Sequence, residues 1–327
     1  MIVLGVDTSC DDTSCGIVDS DGKILANVVA SQEIHSKFGG VVPEIASREH
    51  TRNIIPVVEK ALTDAKLSLD EIDGFGVTYA PGLVGALFVG LSFIKAISYG
   101  TGKPFVGVNH LESHIFSILL EHRVEFPTLV LIVSGGHTEL VLVRAPGSYK
   151  LLGSTLDDAA GEVLDKVARV LGLKYPGGPK LEKLARDGDP QAVKLPRPEI
   201  SGYNFSFSGL KTHAIQCFKH HPDVRREDFA ASFQHAVMDA LVTKLRKAVR
   251  ELKIPRVGVV GGVAANGYLR NLIRERLPDV EIYFPSRKLC TDNGAMVAGV
   301  AQFRLNRGER SSLSLRPYSR LPKGGLG

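Results

Sequence analysis

Ile2-Val3-Leu4-Gly5-Val6-Asp7 is an apolar run that stops on a carboxylate, and Thr128-Leu129-Val130-Leu131-Ile132-Val133 is its counterpart in the second half of the chain. Short runs of this kind, rich in β-branched residues, read as buried strands. Each is followed by a polar or glycine-rich corner, residues 8–12 and 134–137. Two further strand-like runs come next: 13–19 and 24–30 in one half, 138–144 and 149–154 in the other. Asp21-Gly22 and Pro146-Gly147 punctuate those pairs, and Asp-Gly between apolar strands is a strong hairpin signal.

The two halves also end alike. Residues 74–79 read as a strand, 87–98 as an apolar helix, 104–108 as a strand and 111–122 as a helix. The second half offers a strand at 256–260, a helix at 266–277, a strand at 280–284 and a helix at 293–305. The order β-β-β-α-β-α-β-α therefore occurs twice, which predicts an α/β chain of two similar lobes, each a mixed sheet flanked by helices. A cleft between such lobes is the expected place for a ligand, at strand C-termini and helix N-termini.

Composition narrows the class. The 327 residues are 44% hydrophobic and 23% charged, ordinary for a folded domain and unlike a disordered or fibrous chain. The longest apolar run, residues 82–94, is thirteen long, short of the roughly 18 a membrane span requires. No basic n-region precedes Asp7, so no signal peptide is expected, and a cytoplasmic location is. Cys10, Cys15, Cys217 and Cys290 form no C-x-x-C pair, which argues against a disulfide framework and a thiolate zinc site. The net charge is +5, and the segment from Arg304 onward holds an equal excess: Arg304, Arg307, Arg310, Arg316, Arg320 and Lys323 against Glu309. Together with Lys244, Arg246, Lys247 and Arg250 these bases read either as contacts to phosphates or as a solvated helix face and a loose tail.

His110 and His114 stand at i, i+4, on one helix face. Asp292 follows the equivalent strand of the second half, so pseudo-symmetry would bring all three together across the cleft. Two imidazoles and one carboxylate suit Fe(II) or Zn(II) with open positions for substrate. Glu112 is one place too late for the H-E-x-x-H order of zinc proteases. Ser134-Gly135-Gly136-His137-Thr138 reads as a nest for an oxygen anion or as a plain hairpin. Gly261-Gly262 before a helix is a second place for a phosphate or ribose. Neither G-x-x-x-x-G-K-[ST] nor G-x-G-x-x-G is present, which excludes a P-loop ATPase and disfavours a dinucleotide enzyme. Asp157-Asp158 reads as the cap of a helix with Ala159, Val163, Val167 and Leu171 on its apolar face, and Asp165 and Glu162 off that face. Residues 203–212 mix aromatics, hydroxyls and Lys211, suited to stacking on a base or to packing as a loop.

Taken together, D-T-S-C-D-D-T at the first corner, G-G-V-V-P-E-I-A-S-R-E-H at 39–50, Y-A-P-G-L-V-G-A-L at 79–87, N-H-L-E-S-H at 109–114, V-S-G-G-H-T at 133–138 and D-D-A-A-G-E-V-L-D-K at 157–166 carry a resemblance. With Y-P-G-G-P, F-S-F-S-G-L-K-T, G-G-V-A-A-N and C-T-D-N-G they make the chain resemble, end to end, the TsaD family of tRNA N6-adenosine threonylcarbamoyltransferases, formerly described as glycoproteases.

That resemblance implies a duplicated actin-like, sugar-kinase-like (ASKHA) fold, with lobe I at 1–108 plus 293–327 and lobe II at 109–292. It implies one Fe2+ per subunit, or Zn2+, on His110, His114 and Asp292. It implies substrate contacts from Ile132, Val133, Ser134, Gly135, Gly136, Asp165, Gly178, Glu182 and Asn266. Asp11, Asp12 and His137 are the catalytic candidates. The implied reaction moves threonylcarbamoyl from threonylcarbamoyl-AMP to N6 of adenosine 37, in tRNAs reading codons that begin with A, forming t6A. The implied partners are tRNA, TsaB, the ATPase TsaE and a TsaC-type enzyme that makes the adenylate, with no membrane. Asp7 and Asp12 stand where Glu is common in the family, and Ser113 where a small Ala or Gly is usual. A metalloprotease and an ATP-dependent ASKHA-type phosphotransferase are the competing readings. The former needs H-E-x-x-H, and the latter has no use for the two histidines.

Overall fold

In the computed structural model, which describes residues 1–197, 200–221, 223–320 and 326, the chain divides into two units, Met1–Arg123 with Asp292–Gly327, and Val124–Thr291. Lys323 lies outside the described residues.

The first unit opens with β1 (Val3–Asp7), β2 (Asp12–Val18) and β3 (Ile24–Ser31). Helix α1 (Pro43–Ala65) follows, started by a proline at its first turn, where a missing N–H costs nothing. Then come β4 (Gly74–Ala80), α2 (Val84–Thr101), β5 (Phe105–Asn109) and α3 (His110–Leu119). The sheet order is β3-β2-β1-β4-β5, antiparallel from β3 to β1 and parallel from β1 to β5. Strand residues alternate between two faces. Leu4, Val6, Phe75 and Val77 pack with Ile54, Val57 and Val58 of α1 and Leu91 and Ile94 of α2.

The second unit repeats the plan. Its strands are β6 (Thr128–Val133), β7 (Thr138–Ala145) and β8 (Ser148–Ser154). Four helices follow, α4 (Ala160–Val170), α5 (Gly177–Ala185), α6 (Ser208–His220) and α7 (Arg226–Leu252), and then β9 (Arg256–Val260), α8 (Gly267–Arg276), β10 (Glu281–Tyr283) and the short α9 (Arg287–Cys290). The order β10-β9-β6-β7-β8 is that of the first sheet, with the same parallel and antiparallel senses. The duplication holds at the level of the sheet. The single helix expected between the third and fourth strands is here four, and they bury Leu129, Leu131, Val133 and Leu140 under Val163, Val167, Phe229, Phe233 and Leu241.

The last helix, α10 (Gly294–Asn306), returns to the first unit and packs on the other face of its sheet, with Val3, Val106 and Val108 against Val297, Ala298 and Ala301. Two glycines in register, Gly5 and Gly16, make this possible. A Cβ at Gly5 would lie 2.2 Å from the Ala298 nitrogen, and one at Gly16 2.1 Å from that of Ala295. Backbone thus meets backbone, which seats the N-terminus of α10, and with it Asp292, over the β1–β2 corner. The boundary expected at 108/109 and 292/293 therefore differs from the observed units, since α3 and Asp292 belong to the first.

Beyond α10, residues 311–318 run as a strap tied to the first sheet. Ser311 N–H donates to Phe105 O, Gly107 N–H donates to Ser311 Oγ, and Tyr318 N–H donates to Tyr79 O. The first two bonds cover the β5 edge of the sheet, where unpaired strand groups would otherwise be open, and the third reaches β4. Helix α2 is long and apolar enough by length and composition to cross a membrane, unlike the thirteen-residue run that starts it. Its Ala86, Leu87, Leu91 and Ile94 are buried within the unit, and Val84, Phe88 and Tyr99 are exposed.

Candidate active site

Asn109 begins the site. Its side chain accepts from the Leu111 and Glu112 N–H groups and caps α3, placing His110 and His114 one turn apart on the same face. Their rings meet edge to face with centroids 4.7 Å apart. Asp292 Oδ1 lies 3.2 Å from His114 Nε2 and 3.6 Å from His110 Nε2. One ligand atom from each of the three residues falls within 4.8 Å of the others. All three belong to the first unit, so the gathering needs no pseudo-symmetry across a cleft. His114 is fully buried, yet among the described residues neither ring nitrogen has a hydrogen bond; the Asp292 oxygen is near but not aligned for one. A buried imidazole left without a partner costs stability unless a ligand satisfies it, and a cation with nitrogen and oxygen preference fits this donor set.

His110 is held from behind. Its Nδ1 lies 3.2 Å from Asp7 Oδ2 and 3.2 Å from Ser9 Oγ, while Asp7 Oδ1 accepts the Ser9 N–H at 2.8 Å. Burial disfavours the charged ring, but the Asp292 and Asp7 carboxylates outweigh it and push His110 up to about 9. The adjoining corner is pinned by His50 of α1, whose Nδ1 meets Thr13 Oγ1 at 2.8 Å and whose Nε2 meets Cys10 O at 3.0 Å. Asp12 is raised to about 7, first by burial and then by the charges of Asp292, Asp11 and Asp7, with a Ser31 hydrogen bond opposing. Burial and Asp11 lift the Cys10 thiol well above its usual range, so it is no thiolate at neutral pH.

In the second unit the Ser134 corner is a tight four-residue turn. Ser134 N–H donates to His137 O, and His137 N–H donates to Ser134 Oγ. The N-terminus of α4 abuts it: Gly161 N–H donates to Ser134 O, and Ala160 N–H donates to Thr138 Oγ1. Gly135 and Gly136 are exposed, and a Cβ on either meets nothing within 4 Å. The segment is a hairpin whose glycines face open space. Strands β6 and β9 run parallel, so Gly261 leaves the sheet at the same end. Its φ of +94° and a would-be Cβ 2.4 Å from Val133 O require glycine there.

The remaining candidates form a relay of caps. Asp165 Oδ1 accepts from the Gly177 and Gly178 N–H groups at 2.7 and 2.8 Å, at the start of α5. Glu182, on α5, accepts from Gly267 N–H at the start of α8. Asn266 caps α8 through Leu269 N–H and donates to Gln234 Oε1. Glu182, Gln234 and Gly267 line a cavity of about 320 Å³ with Tyr268 and Arg287.

Other expectations are corrected. Asp157 and Asp158 do not cap α4, whose first turn is served by Thr138. Asp157 accepts from Phe207 and Ser208 N–H at the start of α6, and Asp158 binds Lys166, Ser208 and Lys211. Those bonds outweigh the cost of burial and hold the Asp158 carboxyl down at about 2. Residues 203–207 are a packed loop and 208–212 open α6: Phe205 and Phe207 are buried, and Tyr203 donates to Glu251. Lys244 donates to Ile200 O and Gly202 O, and Arg304 to buried Glu112, so part of both basic clusters is spent inside the chain.

A family model described as "TsaD: tRNA N6-adenosine threonylcarbamoyltransferase" matches residues 23–299. A tRNA N6-adenosine threonylcarbamoyltransferase of Caldicellulosiruptor saccharolyticus is 49% identical, covering 97% of this chain and 98% of its own length. That of Thermodesulfovibrio yellowstonii is 50% identical over 98% of this chain and 100% of its own. The chain belongs to the TsaD family. Threonylcarbamoyl transfer to tRNA adenosine N6 is its activity. Among solved structures, the activator of 2-hydroxyisocaproyl-CoA dehydratase from Clostridium difficile shares the fold at TM-score 0.58 and 15% identity, over 95% of this chain and 100% of that one. Full-length HypF does so at TM-score 0.63 and 14% identity, over 95% of this chain and 56% of that one. The fold is thereby the ASKHA, actin-like one.

Within this TsaD-family chain, sequence reasoning missed Asp7, Ser9 and His50 as site residues. His50 closes the 39–50 motif, and Asp7 ends the first strand, but neither spacing announces a partner more than thirty residues away.

Proposed function

We propose that the chain transfers threonylcarbamoyl from threonylcarbamoyl-AMP to N6 of adenosine 37, in tRNAs reading codons that begin with A, using one Fe2+ or Zn2+ held by His110, His114 and Asp292. The observation that carries the metal reading is His114, buried, without a hydrogen bond at either ring nitrogen and 3.2 Å from Asp292. A cation held by His110, His114 and Asp292 would supply positive charge to orient the threonyl group. Exposed Gly135 and Gly136 N–H groups suit the phosphate of the AMP portion, and Glu182 and Asn266, beside the 320 Å³ cavity, suit its nucleoside. Ile132, Val133 and Ser134 set the position of that loop, and Asp165 that of Gly178.

The chemistry fits such a division. The adenylate is a mixed anhydride with an activated carbonyl, whereas an aromatic exocyclic amine is a poor nucleophile. Positioning, worth about 7–11 kcal/mol, therefore matters more than a strong base. Asp11 and Asp12 are the carboxylates for receiving the amine proton, with His137 beside the glycine loop as a further candidate. The protease reading loses its base, because Glu112 pairs with Arg304.

TsaB and TsaE as working partners, and a TsaC-type enzyme as the source of the adenylate, follow from the family. The exposed Val84, Phe88 and Tyr99 of α2 support a protein partner. A cytoplasmic location is supported by four free cysteines and a tRNA substrate. The test supplies threonylcarbamoyl-AMP, partners and metal with a tRNA transcript bearing A37, and a second with G37. Nucleosides are then read by mass. The expected result is t6A from the first only; t6A from both, or from neither, contradicts the assignment.

A further inference from the structure

Resting on the metal reading above, we infer that Asp7 is a positioning residue, which selects the His110 tautomer able to bind a cation. A neutral imidazole carries its proton on one nitrogen and offers the other as a ligand. His110 Nε2 faces Asp292, and Nδ1 faces Asp7 Oδ2 and Ser9 Oγ, each at 3.2 Å. Ser9 does not decide the tautomer, because a hydroxyl donates as readily as it accepts. The Asp7 carboxylate only accepts, so it draws the proton to Nδ1 and leaves the Nε2 lone pair toward the triad. Asp7 is fully buried, and its other oxygen is committed to the Ser9 N–H at 2.8 Å. The carboxylate therefore cannot turn away without unmaking the corner after β1. His114 has no such backing at Nδ1, so the site joins one pre-oriented imidazole to one adaptable imidazole. Outer carboxylates of this kind orient the ligand and raise its basicity.

An amide at position 7 separates this role from bulk structure. In Asp7→Asn the side-chain oxygen must still accept from Ser9 N–H, which turns the NH2 group toward His110 Nδ1. That donor forces the proton onto Nε2, the wrong tautomer, in a side chain of unchanged size. Metal-free wild type, Asp7→Asn and Asp7→Glu are titrated with Zn2+ in competition with a chromophoric chelator, and their metal-free melting curves are compared. The expected result is a loss of Zn2+ affinity of about 10–100-fold in Asp7→Asn, with a cooperative metal-free melt retained and most of the affinity kept in Asp7→Glu. In the Zn2+-loaded wild type a His110 Nδ1–H resonance is expected by NMR, and in Asp7→Asn it is lost. Asp7→Asn binding Zn2+ as tightly as wild type overturns the positioning role and leaves the metal reading standing. Wild type that binds no Zn2+ overturns both.

Discussion

The two units present their candidate residues in opposite states. In the first, the groups that face one another are unsatisfied or in conflict: His114 has no hydrogen bond, and Asp12 is held near 7 by burial and neighbouring carboxylates. In the second, Asp165, Glu182 and Asn266 each accept backbone N–H groups at a helix start, and the exposed glycine turn faces open space. Groups left unsatisfied by their own chain are kept for a ligand. Groups that already cap helices keep the frame in shape, and Glu182 does so while lining the cavity.

The largest expected effect breaks the first region. His114→Gln, close in size to the imidazole, removes metal binding and lowers transfer by roughly 10³-fold, since metal charge stabilisation is worth several kcal/mol. The melting temperature of the metal-free protein stays nearly constant, because no hydrogen bond is lost. Metal stripping of wild type has the same effect on transfer, restored by adding the metal back. Next comes Gly136→Ala. Its backbone is not left-handed, and a Cβ there meets nothing within 4 Å, so stability is kept. The methyl enters the space assigned to the adenylate, and kcat/KM falls by about 10–100-fold, as misplacements near 1 Å do.

Asp165→Ala sharpens the contrast from the other side. Two N–H groups at the start of α5 lose their acceptor, which lowers unfolding stability by about 1–2 kcal/mol, read by denaturant titration. A pH-dependent effect of at least similar size concerns Glu139 on β7, which burial raises to about 7. The folded state then holds a proton that the unfolded state gives up near pH 4.5, so stability falls as pH rises from there through 7. Glu139→Gln should stabilise the protein by about 1–2 kcal/mol at pH 8 and by little at pH 4. A melting difference that does not grow with pH counts against it.

Much of this frame was legible from local pattern. The alternation of β1 to β3 and of β6 to β8, with Asp21-Gly22 and Pro146-Gly147 between them, prescribes the paired sheets. The His110/His114 spacing prescribes one helix face. What was not legible depends on partners far along the chain. Asp157-Asp158 precedes α4 as a cap would, but its carboxylates answer to α6, fifty residues on. The helices α4 to α7 replace one expected helix because the second unit covers its sheet with a broader layer. Asp7 meets His110 only through the register of β1 on β4 and of β4 on β5. Arg304 looked like part of a basic tail, and is the partner of buried Glu112.

The most direct test is a single-turnover assay of wild type and His114→Gln. Each is supplied with metal, threonylcarbamoyl-AMP, the TsaB and TsaE partners and tRNA unmodified at A37, and t6A is read by mass. The account predicts t6A from wild type, none above background from the variant, and none from metal-stripped wild type until metal is returned. Equal t6A from stripped and loaded protein, or from the variant, would contradict it.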